Sequence, residues 1–356
     1  MLSRWPISAT YTHMYTLTGA PVNVHQGDWI AGKACGCATV QHPSLGALDV
    51  WDTHVSDART ERGYSPQFTA LGGQVGGEER RAFRITEAYE LAELCRASAE
   101  RGRHVLCMGD LNSLPESLSM GILRSVAGLQ DTAAVGAADA QITCDSPRNT
   151  WTHGKPLDEN ALRNAGKRLD YVLYRGPASS ASRLQCAAHR VVFDGKIPGH
   201  DVSFTDHFGV EAEFSLLPQD AAATAPAPRV SGVVSVLDQA LGVLREALVA
   251  ARSQQQRHMS AFVAALGGAV VLIAGNACAS AWLWHGRSVA PSVLLALLLI
   301  PTSWFGTTAL YTAVIWGEWH KRTCSVHKIH TDSAGALRMF LNRIETHRDA
   351  LESELA

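Results

Sequence analysis

The 356-residue chain is 46% hydrophobic and 18% charged, enough apolar residue to bury a sizeable core in one large domain with something smaller attached. A formal net charge of −2 argues against nucleic-acid binding by bulk electrostatics and leaves local patches open. The eight cysteines are scattered apart from Cys35 and Cys37, a spacing that suits neither a zinc knuckle nor a redox motif, so reduced, buried thiols and a cytosolic or nucleus-facing domain are expected.

Residues 1–7 hold no apolar core long enough for a signal peptide and read like the interior of a domain. After strand and loop as far as Pro21, Gly27-Asp28-Trp29-Ile30-Ala31-Gly32-Lys33 matches the Gly-x4-Gly-Lys part of a phosphate-binding loop, where backbone N–H groups cradle phosphate and the lysine adds a point charge. Ala34 stands where such a loop carries its magnesium-holding hydroxyl, and no strand leads directly in, so nucleotide binding is disfavoured. A lysine-bearing loop near a phosphate and an ordinary surface turn both fit. Residues 48–54 alternate like a strand and deliver His54 at the carboxyl end, as a site residue or a structural histidine. The Gly- and Ser-rich stretch 61–77 reads as a long loop of the kind that is often functional.

Residues 78–101 predict a helix with an apolar stripe of Ile85, Ala88, Leu91, Ala92 and Cys95, ended by Gly102. The run 104–108 reads as a buried strand leaving through Gly109-Asp110-Leu111-Asn112, where glycine allows a sharp exit and a carboxylate and an amide project together; a plain Asx turn is the alternative. Asn149-Thr150-Trp151 and Lys167-Arg168 precede another strand, 169–174, with Asp170 near its start. Thr205-Asp206-His207 then lies on the loop into an alternating strand, 210–216, where a rigid sheet can aim an acid and an imidazole together.

The composition shifts beyond residue 217. An alanine- and proline-rich linker, 218–230, leads to an amphipathic helix, 231–258, whose stripe of Val234, Leu237, Leu241, Leu244 and Leu248 is expected to pack on a partner helix, since its polar face is only mildly basic. Residues 261–284 and 289–316 contain no charged residue, and about 20 apolar residues cross a bilayer, so 261–316 predicts a transmembrane hairpin turned at His285-Gly286-Arg287-Ser288. Trp282, Trp284, Trp304 and Trp316 suit interfacial belts. Arg245, Arg252 and Arg257 before the hairpin, and Lys321, Arg322 and Lys328 after it, place both ends in the cytoplasm. In the tail, 317–356, Leu337, Leu341, Ile344 and Leu351 form a stripe expected to pair with the helix before the membrane.

Asp52-Thr53-His54, Gly109-Asp110-Leu111-Asn112, Arg168-Leu169-Asp170-Tyr171 and Thr205-Asp206-His207-Phe208-Gly209 resemble, in order and rough spacing, the endonuclease/exonuclease/phosphatase superfamily. Within it, Leu2-Ser3-Arg4-Trp5-Pro6-Ile7, Gly27-Asp28-Trp29 with Gly32-Lys33, Arg84 with Ala88-Tyr89-Glu90-Leu91, and Thr143-Cys144-Asp145-Ser146-Pro147 with Asn149-Thr150 are similar to the neutral sphingomyelinase and fungal inositol phosphosphingolipid phospholipase C branch. The resemblance covers residues 1–216 and implies an α/β domain over 1–217, a four-layer α/β sandwich that uses Mg²⁺ to cleave phosphodiesters.

Carried over by motif, His207 is the general base, Asp170 orients its imidazole, and Asp206 lies at the metal. Asp110 and Asn112 position the nucleophile and the scissile phosphate, His54 donates to a phosphoryl oxygen, and Asp28 and Lys33 belong to the phosphate-loop-like segment. The implied reaction releases ceramide and a phosphorylated headgroup, phosphocholine or inositol phosphate. The expected partners are a sphingolipid in a membrane and an anionic lipid, with no nucleic acid. A tether beside a lipid substrate raises its effective concentration, which suits the hairpin.

Two departures qualify the resemblance. Asp52 replaces an asparagine, and the family's principal metal-ligand glutamate lies on strands before the segment that Ser3-Arg4-Trp5-Pro6-Ile7 resembles. The chain is therefore expected to lack roughly 80–100 residues of its catalytic domain, on the usual scale of such domains, through a misplaced start or a truncated gene model. The alternatives are a nuclease or other phosphoesterase of the same fold, and a catalytically inactive membrane-anchored binding protein.

Overall fold

In the computed structural model, residues 1–17, 32–56, 77–136, 141–177, 182–218, 230–285 and 333–355 are described. The hairpin β2 (Ala34–His42) and β3 (Gly46–His54) turns at Gly46, whose φ of 70° is left-handed, and His42 Nδ1 accepts from the Ser44 and Leu45 amides at 3.2 Å each. β1 (Ile7–Met14) pairs antiparallel with β2 at the sheet edge, leaving Ile7, Tyr11 and Met14 exposed. A parallel neighbour cannot follow through a hairpin, so the chain crosses over by helix α1 (Gly77–Glu100) before β4 (His104–Asp110) runs parallel to β3. The apolar stripe read for this helix, Ile85, Ala88, Leu91, Ala92 and Cys95, is buried throughout, and Gly102, at φ 82°, follows it.

After β4, α2 (Leu118–Val126) is capped by Ser117 Oγ, which accepts from the Met120 amide at 3.3 Å. β5 (Gln130–Asp131), the short α3 (Glu159–Asn164) and β6 (Asp170–Arg175) follow, completing a six-stranded mixed sheet of order β1-β2-β3-β4-β6-β5. A second, two-stranded antiparallel sheet pairs β7 (Ser182–Val192) with β8 (Gly209–Pro218). Tyr174 of β6 meets Phe214 of β8 edge-on at 5.1 Å between ring centroids, and Thr132 Oγ1 lies 2.9 Å from His189 Nδ1, so the two sheets pack together. The strands carrying His54 and the residues after His207 lie where alternation placed them, and those carrying Asp110 and Asp170 lie where a buried run and a second apolar segment were read as strands. β1, β2 and β7 were not read as strands from the sequence.

The chain divides into two compact units, Met1–Gly19 with Asn23–Leu244 and Phe340–Ala356, and Ala20–Val22 with Arg245–Met339. Helix α4 (Val230–His285) runs unbroken for 56 residues, joining the expected amphipathic helix to the first charge-free run. No proline interrupts it, and its few glycines, the adjacent Gly267 and Gly268 included, do not stop the helix. Its buried stripe includes Leu237, Leu241, Leu244 and Leu248, with Val233 buried more deeply than Val234. Helix α5 (Ser333–Leu355) buries Leu337, Leu341 and Ile344, and Phe340 as well. Arg348 reaches Asp238 of α4 at 3.1 Å, and α5 also docks on α1, where Tyr89 Oη lies 3.0 Å from His347 Nδ1 and Arg343 pairs with Glu93. The sequence reading had only the first of these contacts.

Among the described residues no helix is long and apolar enough to cross a membrane, so the expected spanning hairpin is not found there. The second charge-free run, 289–316, lies outside the described residues, as does most of the expected loop 61–77. In the later part of α4, Val263, Leu266, Val270 and Val271 stand between 48% and 70% exposed.

Candidate active site

Strand register assembles the centre of the site. His54 pairs across the ladder with Asp110, and Asp110 with Asp170, so three polar residues from β3, β4 and β6 form one row at one end of the sheet. Gly109 permits the row to close. A Cβ there would stand 2.0 Å from the Thr53 carbonyl oxygen, and its φ is 129°, so no other residue fits without displacing β3. Asn112, at φ 42°, turns the chain back: its amide donates to Asp110 Oδ1 at 2.9 Å, and its Nδ2 donates to the Val55 carbonyl at 3.1 Å and to Asp110 Oδ2 at 3.3 Å. The local geometry is an Asx turn, and that turn holds the Asp110 carboxylate in the row. His54 Nε2 lies 3.5 Å from Asp110 Oδ2, with its side chain 61% exposed.

His207 reaches the same row from the loop before β8. Its Nδ1 is 2.8 Å from Asp170 Oδ2. The loop is held by a segment to which the sequence reading assigned no chemical role. Thr143 Oγ1 accepts from the Leu169 and Asp170 amides at 3.0 and 3.2 Å, and the Thr143 carbonyl accepts from Phe208 N at 2.7 Å. Asn149 Nδ2 donates to the Thr205 carbonyl at 2.8 Å, and Cys144 bridges both Lys167 and His207. The signal was Thr143-Cys144 with Asn149-Thr150, side chains suited to bonding nearby backbone, but nothing local shows which backbone they bind.

The electrostatics follow from two carboxylates and an imidazole sharing a half-buried spot. Burial pushes the Asp110 carboxyl above its usual range, and the charge of Asp170 adds to this; the Asn112 amide and the two histidines oppose it. Burial would lower the His207 pKa, but the hydrogen bond to Asp170, with Cys144 and the Asp170 charge, outweighs it and raises the imidazole to about 11. Burial also acts to raise Asp206, yet the charges of His207 and Lys155 bring it below its usual value.

Asp110, Asp170 and His207 present ligand atoms within 4.8 Å of one another, a group that could hold a metal ion. The donors fit a hard divalent cation, because two carboxylates converge beside an imidazole and the charge of Asp170 acts to raise the Asp110 carboxyl, a repulsion that a cation would relieve. Asp206 is outside this group: its side chain is 48% exposed and lies 3.6 Å from Lys155 Nζ, a partner the sequence reading missed. The structure thus brings together His54, Asp110, Asn112, Asp170 and His207. Lys33 stands just before β2, where its carbonyl accepts from Tyr15 N at 2.9 Å and its charge acts on Glu87 of α1. Asp28 lies outside the described residues.

Comparison with known proteins matches residues 1–207 to the model of the Endonuclease/Exonuclease/phosphatase family. The chain is similar to the "Inositol phosphosphingolipids phospholipase C" of Schizosaccharomyces pombe, 28% identical over 305 residues, covering 79% of this chain and 64% of that protein. It is also similar to "Sphingomyelin phosphodiesterase 2" of Mus musculus, 30% identical over 248 residues, covering 67% of this chain and 54% of that protein. The chain therefore spans between half and two thirds of the length of these relatives. Among solved structures, a beta toxin from Staphylococcus aureus aligns at a TM-score of 0.42 and 17% identity, covering 59% of this chain and 65% of that one. With its family model matched over more than half its length, the chain belongs to the endonuclease/exonuclease/phosphatase family.

Proposed function

We propose that this protein is a Mg²⁺-dependent phospholipase C that hydrolyses a sphingolipid phosphodiester at a membrane, releasing ceramide and phosphocholine or inositol phosphate. The observation that carries it is the row His54–Asp110–Asp170 closed by the 2.8 Å contact of Asp170 with His207. With Nδ1 committed to Asp170, Nε2 of His207 is the nitrogen left to take a proton from the attacking water. Asp170 fixes the tautomer and orientation of the ring and stabilises the imidazolium that forms. Asn112 holds Asp110, which positions the nucleophile and the phosphate, and His54 donates to a phosphoryl oxygen.

Asp110 and Asp170 would hold Mg²⁺, whose charge offsets that of the phosphoryl oxygens, and Asp206, outside that group, is assigned to the metal by motif alone. His207 must be neutral to act as base, and cationic charge at Asp170 lowers its proton affinity from the high value of the metal-free chain. Asp28 and Lys33 are assigned to a phosphate-binding segment beside the site.

The lipid substrate is supported by the names of the two relatives, by the charge-free runs 261–284 and 289–316, and by the exposed Val263, Leu266, Val270 and Val271, a surface that lipid would cover. In this reading residues 1–217 belong to a cytosolic catalytic domain of four-layer sandwich type, and 261–316 anchor it, with the tail also cytosolic. Full-length protein in vesicles containing sphingomyelin or inositol phosphosphingolipid, assayed with Mg²⁺, should turn over one of the two, and His207→Ala should abolish the activity. Turnover of neither lipid refutes the proposal. Cleavage of oligonucleotides instead, with steep salt dependence, would make the protein a nuclease of the same fold.

A further inference from the structure

One buried carboxylate outside the row grips the strand that carries His54. Glu87 of α1 is fully buried, and both of its oxygens meet a single residue: Oε2 accepts from Ser56 N at 2.8 Å, and Oε1 bonds Ser56 Oγ at 2.6 Å. The charges of Lys33 and Arg84 also act on it. Burying a carboxyl costs several kcal/mol unless its partners compensate, and an apolar residue of similar volume would pack here without that cost. The carboxyl therefore suits a demand on geometry better than a demand on stability.

Ser56 lies two residues beyond His54. Between them, Val55 N donates to the Asp110 carbonyl at 3.1 Å, and the Val55 carbonyl accepts from Asn112 Nδ2 at 3.1 Å. Residues 54–56 are thus held from one side by the end of β4 and from the other by α1. His54 needs such an anchor. Its side chain is 61% exposed and 3.5 Å from Asp110, so side-chain packing does little to place it and the backbone beneath must do so. Asn112 depends on the same short segment for one of its two side-chain bonds.

We propose that Glu87 is a positioning residue for the site, setting through Ser56 and Val55 where His54 and Asn112 stand. The inference rests on the phosphodiesterase reading for its catalytic consequence, but the placement of His54 can be measured without turnover. Glutamine can keep both bonds to Ser56, its Oε1 accepting from the amide and its Nε2 donating to Oγ. Leucine fills the space and keeps neither.

The test uses the full chain with Glu87→Gln, Glu87→Leu and Ser56→Ala, Mg²⁺-dependent lipid hydrolysis in vesicles, thermal melts, and the ring cross-peaks of ¹⁵N-labelled histidines, with His189 of β7 as control. A misplacement near 1 Å at a reacting centre costs about 100-fold, so Glu87→Leu should lower kcat by about 10- to 100-fold with KM changed less than about threefold. It should also shift the His54 peaks and leave those of His189. Glu87→Gln should keep kcat within about threefold of the parent, with His54 in place. Ser56→Ala, which retains one of the two bonds, should fall between them and decides the matter should Glu87→Leu fail to fold.

Two results overturn the proposal: unmoved His54 peaks in Glu87→Leu or Ser56→Ala, or a Glu87→Gln variant as impaired as Glu87→Leu. If the parent protein turns over neither lipid, the phosphodiesterase reading falls, and the His54 peaks alone decide the role of Glu87.

Discussion

Replacing Asp170 with asparagine tests the site at its shortest link. The amide has nearly the shape of the carboxylate, and the Asp170 backbone is held by Thr143 Oγ1 at 3.2 Å, so the row should survive while the charge disappears. Burial acts to lower the His207 pKa from its ordinary 6.5, and the bond to Asp170 leads the contributions that raise it to about 11. Without the carboxylate the imidazole should titrate well below about 11 and be free to adopt the wrong tautomer, with the Cys144 contribution left in place. Loss of oriented general-base catalysis is worth about 10²- to 10⁴-fold in kcat, or about 3 to 5 kcal/mol of barrier.

Stability carries the same signature. The folded pKa of His207 lies above the unfolded one, so the pair's contribution is fully present below pH 6.5 and is lost as pH rises through about 11. Metal-free parent protein should therefore lose stability between pH 7 and pH 9 relative to Asp170→Asn, read by melts in chelator. A second readout is the His207 ring titration by NMR, which should shift downward in the variant and, on addition of Mg²⁺, in the parent. A variant that keeps kcat within about threefold and leaves the His207 midpoint unchanged would refute the assignment of Asp170.

Gly109→Ala should destabilise the protein by at least about 3 kcal/mol in denaturant unfolding, because its Cβ would lie 2.0 Å from the Thr53 carbonyl; a loss below about 1 kcal/mol would show that the strand ends relax. Tyr89→Phe removes the 3.0 Å contact to His347 and should cost about 1 to 2 kcal/mol, accompanied by faster proteolysis within α5; unchanged cleavage would mean that the tail docks through its apolar face alone.

Much of the site was legible because its carriers are local patterns. Alternation around His54 and after His207, the buried run before Asp110, and the Gly-Asp-x-Asn exit are each written within a few residues. Helix α1 announced its apolar stripe in the same way, and the structure buries that stripe. Apolar pattern also located helices near residues 231–258 and 336–351, but not the continuity of α4 through residue 285 or the full extent of α5, 333–355.

Tertiary structure decided what each pattern meets. That residues 54, 110 and 170 share one row depends on pairing among three strands far apart in the chain, and side-chain period alone carries no register between them. Thr143 and Asn149 became supports of the His207 loop, Asp206 turned toward Lys155, and α5 found α1 as well as α4. Glu87 was one polar residue on a helix until folding placed both its oxygens on Ser56. Local sequence chose the polar groups of the row and the strands that present them; their distances and proton affinities arise only when burial and remote charges act on them together.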